Sequence, residues 1–260
     1  MSGFRLYFRY VRLHMLTSLQ YKGWPLQVLM ALLYVLTDPI DALIMLDRFG
    51  DIAGWTASRI LLMYGMAVCA FGLSELFARG FDYFPSLVRD GDFDRILLRP
   101  RSTFLQTMAL RFHIHRLTRV LGAAGLAALC LAAQKLPLRP VDGAMLLLAL
   151  GGGTLMYTGV LVISSAVAIF TVQPLDWIYI FTNGSYQAAK MPPEALPPWL
   201  RRTFTFVMPM LMFCYYPVAA LWGGVPKWTG FLALPAGAAF LGASGLLWRV
   251  AVRHYKSTGS

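Results

Sequence analysis

Apolar residues in this chain fall in long runs, with the charged residues gathered between them. Residues 3–21 are apolar and aromatic apart from Arg5, Arg9 and Arg12, which recur at i, i+4 and i+7. That spacing puts a narrow basic stripe on one side of a helix. It reads as an interfacial helix lying on the inner leaflet, the alternative being a soluble helix packed on the protein's own surface. Six longer runs follow, at residues 24–46, 56–77, 111–133, 143–170, 203–222 and 231–252, with an earlier start at Ser102 open for the third. Each is long enough to cross a hydrocarbon layer of about 30 Å at about 1.5 Å per residue.

Residues 171–202, TVQPLDWIYIFTNGSYQAAKMPPEALPPWLRR, do not fit the pattern. The apolar run at 175–182 is too short to span, Asp176, Asn183 and Gly184 flank or interrupt it, and prolines crowd the end. The expectation is a segment at the inner interface, with Trp177 and Trp199 as anchors at headgroup level. The fifth run closes on CYYPVAALWGG. Tyr215, Tyr216 and Pro217 mark either a re-entrant turn near the outer face or a Pro-kinked span.

Composition agrees with this picture. The chain is 58% apolar and 13% charged, with a mean hydropathy of +0.59, against about 25% charged residues in soluble domains. It reads as one all-α integral membrane domain over residues 1–260. Charge continues through Lys22 with no A-x-A-like site after a short apolar region, so no cleaved signal peptide is expected. The net charge of +11 has a topological explanation and requires no nucleic acid. With the N-terminus inside, 18 of the 23 Lys and Arg residues fall in inner segments, which predicts both termini in the cytoplasm. Cys69, Cys130 and Cys214 are far apart in apolar runs and read as small hydrophobes.

The densest charge lies at residues 89–102, RDGDFDRILLRPRS. Asp90, Asp92 and Asp94 alternate as in a calcium loop. Counted from Asp90, however, Arg95 and Arg101 occupy the positions where that loop needs Gly and Glu. A short helix from near Asp92 to before Pro100 fits better, with acids at its start and Arg95 and Arg99 toward its end. Phe93, Ile96 and Leu97 then form a small apolar face ringed by charge, the form of a helix that docks in a partner's groove. A solvated loop with a basic flank is the plainer reading.

GDFDRILLRPRS, at 91–102, resembles the cytoplasmic signature G-x-[FL]-D-x-x-L-L-[RK]-P of ABC-2 type permeases. RRTFTFVMPMLMFCYYPVAALWG, at 201–223, resembles a P-x-x-x-x-x-Y-x-P stretch of the same group through Pro209, Tyr215 and Pro217. The likeness covers nearly the whole chain. It implies the membrane subunit of an ABC exporter in a prokaryotic inner membrane, paired with a second permease chain, identical or paralogous. Each permease would seat one ABC ATPase, which would carry the ATP and Mg; this chain would hold no cofactor and be no enzyme. The loop between the second and third spans would contain the coupling helix. Gly91, Phe93, Asp94, Leu97, Leu98, Arg99 and Pro100 match the signature, with Ile96 inside it, and Arg99 is suited to pair with an acid on the ATPase. The proline-rich segment after Asn183 departs from the family pattern. No G-x-x-x-x-G-K-[ST] is present. The cargo expected from the resemblance is hydrophobic or amphiphilic: a drug, a peptide or a lipid.

Asp38 and Asp41 lie three apart in the first run, on one helix face, with Pro39 between them. They either line a translocation path or bind a cation, or they face outer water if the span ends near Thr37. An ion-coupled carrier would depend on these two acids, and a lipid-modifying enzyme on Asp90 to Asp94. Glu75 is expected to pair with an Arg such as Arg79. The glycines at 151–153, Gly159, Ala238, Gly242 and Gly245 are candidates for close helix packing. His113 and His115 point to different sides of a helix, a poor metal geometry.

Overall fold

Within a bilayer every backbone N–H and C=O must be satisfied inside its own segment, so long apolar runs become helices. The computed structural model describes residues 3–20, 22–49, 54–112, 115–171 and 177–255. The helices run in order α1 (Gly3–Gln20), α2 (Trp24–Thr37), α3 (Ile40–Phe49), α4 (Ala57–Ala78), α5 (Gly80–Arg89), α6 (Phe93–Leu97) and α7 (Thr103–Met108). They continue with α8 (His115–Ala133), α9 (Pro140–Thr171), α10 (Trp177–Ala188), α11 (Pro198–Arg202), α12 (Met210–Leu221), α13 (Lys227–Phe231) and α14 (Ala233–His254). A 3-10 turn at Pro193–Ala195 precedes α11, and a π turn at Thr203–Val207 follows it. Among the described residues, α4, α8 from Arg116, α9 and the α13–α14 pair are long and apolar enough to cross a membrane.

The core forms around α4, which is apolar and buried on all sides, as befits a central helix. It packs against α8 and α9, and α9 packs along α14. Glycines set the α9–α14 separation. A Cβ on Gly152 would lie 2.2 Å from the Ala233 carbonyl oxygen, and one on Gly237 would lie 2.1 Å from that of Gly152. Gly237→Ala is therefore expected to force the two backbones apart, at a cost of about 1–3 kcal/mol; the thermal midpoint in detergent measures it. Gly153 and Gly159 are also close contacts, whereas an added Cβ on Gly242 or Gly245 meets nothing within 4 Å and Ala238 is exposed. On α14 the contact face is thus rotated from the expected one.

Two expected spans are organised differently. The first run breaks after Thr37, because Pro39 has no N–H to continue the helical ladder. The 14-residue α2 covers about 21 Å, short of the hydrocarbon thickness. Residues 171–202, expected at an interface, also differ, and α4 serves as a ruler for them. Thr182 and Asn183 share a cavity with Glu75, the Tyr186 ring is 5.8 Å from Phe71, and Lys190 Nζ sits 5.4 Å from the Tyr64 ring. Glu194 then accepts a hydrogen bond from the Tyr215 hydroxyl, and the Tyr215 ring is 5.4 Å from Trp55. From Glu75 to Trp55 is about 30 Å of helix, so residues 182–194 run the length of the bundle and are not confined to an interface. Of the polar residues that argued against a traverse, Asn183 lines the cavity beside Glu75, and Ser185, Gln187 and Lys190 further along bond to Tyr157 and Asp38. Trp199 is exposed; the Trp177 side chain lies outside the described residues.

The expected fifth span divides at Met208 and Pro209, where α11 with its π turn meets α12 at 101°. Phe213 of α12 packs 5.6 Å from Tyr157, which in turn is 5.1 Å from Phe71 in the middle of α4. Trp222, at the other end, stacks on Arg59. The chain therefore reaches the Trp55 end by Glu194, dips back to mid-depth near Met210, and returns. Tyr215, Tyr216 and Pro217 lie inside the helix of the returning arm. The turn expected there is at Met208 and Pro209, where the Pro N–H is missing.

Candidate coupling segment and polar interior

At the end of the bundle opposite Trp55, α5 leads through a tight turn into α6. Gly91 has φ +74, a region that residues with a Cβ enter at a cost of about 1–2 kcal/mol. The turn aims α6 back toward the bundle. Phe93 is 0% exposed, with its ring 4.8 Å from Phe84 and 5.0 Å from Tyr255, and Ile96 is buried in the same cluster with Phe81 and Trp248. These two side chains were expected on a docking face; they anchor α6 to its own protein instead. Facing away are Leu97, Arg99 and Pro100, together with Leu98, which is 84% exposed. Arg99 Nη1 lies 3.5 Å from the Tyr10 hydroxyl of α1. Asp94 is partly buried in the first turn of α6.

Both described ends of the chain come to this end. Tyr7 of α1 donates to the Phe77 carbonyl at 2.9 Å, and burial pushes its phenol up to about 12. Tyr255 packs on Phe93. Arg9 and Arg12 of the basic stripe are exposed, while the Arg5 side chain lies outside the described residues. Residues 32–259 match the family described as ABC-2 family transporter protein.

The chain belongs to the ABC-2 family of transporter proteins.

No curated protein and no solved structure shows significant similarity to it. Membership makes the chain a multi-pass membrane transport subunit, and its polar interior is read in that light.

Just above α5, Glu75 is 3% exposed and gathers three guanidiniums. It pairs with Arg79 one helical turn away, as expected, and also with Arg116 at 2.7 Å and Arg119 at 3.3 Å. Arg79 also reaches Asp82 at 3.1 Å. The second and third partners were not anticipated. Arg116 and Arg119 are spaced i, i+3 on an otherwise apolar helix, which was the available signal. The Arg119 guanidinium carbon sits 5.1–5.2 Å from the ring centroids of Tyr34, Phe71 and Tyr186.

In this ABC-2 subunit Asp38 is largely enclosed by polar partners, its side chain 12% exposed. Its carboxylate accepts from Tyr64 at 2.5 Å and Gln187 at 3.2 Å and pairs with Lys190 at 3.3 Å, whose Nζ also donates to the Asp38 carbonyl at 2.6 Å. Lys190 thus serves a backbone carbonyl at the break before Pro39. Asp38 and Lys190 are expected to be energetically coupled by about 1–2 kcal/mol. A double-mutant cycle of Asp38→Asn and Lys190→Gln on thermal stability measures it; additivity would show that the pair is incidental. The side chain of Asp41, like those of His113 and His115, lies outside the described residues. Asp90 and Asp92 pair with Arg89 and Arg95, each at 3.2 Å. Among the described residues no three His, Cys, Asp or Glu side chains converge.

Proposed function

We propose that this chain is the permease subunit of an ATP-driven exporter, and that Leu97, Leu98, Arg99 and Pro100 seat in a cleft of a separate ABC ATPase. The observation that carries the reading is Leu98, 84% exposed beside a short helix whose other side is locked into the bundle by Phe93 and Ile96. A large apolar side chain presented to water on a rigid mount has the form of an interface anchor. Because Phe93 packs on Phe84 and Trp248, a push on α6 reaches α5 and α14 without slack. Two permeases, identical or paralogous, would each seat one ATPase. ATP and Mg would be held by the ATPases, whose closure would drive a rigid-body change in the spans.

In this reading α2 continued by α3 is the first of six passes, the stretch from α10 to Glu194 the fifth, and α11–α12 a re-entrant excursion on the outer side. The α6 end, with both termini, faces the cytoplasm of a prokaryote, and α1 lies on the inner leaflet. Moving Lys190, Arg201 and Arg202 out of the inner set still leaves 15 of 23 cationic residues inside, which supports that orientation. A cavity of about 300 Å³ between α4, α8 and α9, lined by side chains such as Leu62, Met66, Leu131 and Leu146, supports a hydrophobic or amphiphilic cargo. Affinity purification from native membranes in mild detergent, with mass spectrometry, tests the proposal. A stoichiometric ABC ATPase is expected, and an ATPase-free preparation that retains transport in vesicles would end it.

A further inference from the structure

Glu75, Arg79, Arg116 and Arg119 wall a cavity of about 200 Å³, closed on the α10 side by Thr182 and Asn183. We propose that this cavity binds one phosphate-bearing anion through Arg119 and Arg116. The phosphate would belong to the headgroup of an anionic amphiphile or to a free phosphate ester.

Glu75 takes one Nη1 from each of the three arginines. The Nε atoms of Arg79, Arg116 and Arg119 and the Nη2 of Arg119 find no acceptor in the described chain. Arg119 is only 8% exposed, and a buried donor left unmade is costly. Its Nε and Nη2 share one edge of the guanidinium, a fork that matches two oxygens of an oxyanion. The rings of Tyr34, Phe71 and Tyr186 each lie within 5.2 Å of the guanidinium carbon. Aromatic faces attract the cation without consuming its N–H groups, so the fork is fixed in place yet unspent.

Charge and size point the same way. Among the described lining residues three guanidiniums face two carboxylates, Glu75 and Asp82. A carboxylate ligand would fill the Arg119 fork alone, whereas a phosphate has a further oxygen for Arg116. The volume takes a phosphate and its first ester carbons and leaves acyl chains outside, against the apolar surfaces of the bundle. The site lies on the membrane subunit itself and needs no ATPase, so it stands or falls separately from the coupling proposal.

The test is calorimetric titration of the purified full chain in a neutral maltoside detergent. The probes are dihexanoyl-phosphatidylglycerol, glycerol phosphate and dihexanoyl-phosphatidylcholine. Saturable binding of one anionic probe per chain is expected, with phosphatidylcholine at least about 10-fold weaker because its ammonium opposes the arginines. Binding of the phosphatidylglycerol alone assigns the phosphate to an amphiphile, and equal binding of glycerol phosphate assigns it to a free ester. Arg119→Gln is expected to weaken binding about 10- to 100-fold. Asn183→Asp sets a carboxylate on the cavity wall without removing packing, and is expected to weaken binding at least about 10-fold, whether or not the arginine variant folds. No saturable binding by either anionic probe, or binding unchanged in Asn183→Asp, overturns the proposal.

Discussion

Leu98→Asp is expected to strip the ABC ATPase from the purified permease while leaving the permease's thermal midpoint unchanged. Leu98 is 84% exposed, and surface substitutions away from packed features shift stability within about 0.5 kcal/mol. In the complex the same side chain would occupy an apolar cleft, and truncating such an anchor costs about 2–4 kcal/mol, or roughly 30- to 700-fold in affinity. A carboxylate there adds desolvation to the lost contact. Phe93→Ala provides the contrast. Its ring is buried between Phe84, Trp248 and Tyr255, so it should cost about 3–5 kcal/mol of stability and lose the ATPase only because its mount loosens. Co-purification with both thermal midpoints measured separates the two. An Leu98→Asp permease that retains the ATPase in full stoichiometry would remove α6 from the coupling role.

The contrast between Leu98 and Phe93 also marks what can be read from sequence here. Both belong to one short signature, and periodicity alone put Phe93, Ile96 and Leu97 on one docking face. What turns Phe93 and Ile96 inward is the left-handed Gly91 and the aromatic cluster from α5 and α14, residues up to 162 positions away in the chain. Helices that are apolar all round, such as α4 and α9, were legible because hydropathy is a sum over neighbours. The α10 traverse was not, because its polar groups are satisfied by Asp38, Tyr157 and Tyr34 from other helices, and a hydropathy window charges them as though exposed to lipid. Asp38 was singled out as an intramembrane acid. Its partner Lys190 was assigned to a cytoplasmic loop, since nothing local links residues 152 apart.

Glu75→Gln is expected to be the most destabilising conservative change in the chain, at about 3–5 kcal/mol. The substitution keeps the shape and one acceptor but removes the single negative charge on which Arg79, Arg116 and Arg119 converge. Three guanidiniums then repel one another where Glu75 is 3% exposed and screening is weak. Asp82→Asn is the control. Among the described residues Asp82 pairs with Arg79, at 3.1 Å and nearer water, so its loss should cost under about 1 kcal/mol. Thermal denaturation of the two variants in detergent, followed by tryptophan fluorescence, gives the comparison, and equal midpoints would show that Glu75 is not the keystone of this cluster. The same variant bears on the anion site. With Glu75 neutral the cavity gains a unit of positive charge and the Nη1 donors held by the lost carboxylate oxygen are freed. A phosphate probe should therefore raise the midpoint of Glu75→Gln by more than that of the unsubstituted chain, because the anion then supplies the negative charge that the fold itself lacks.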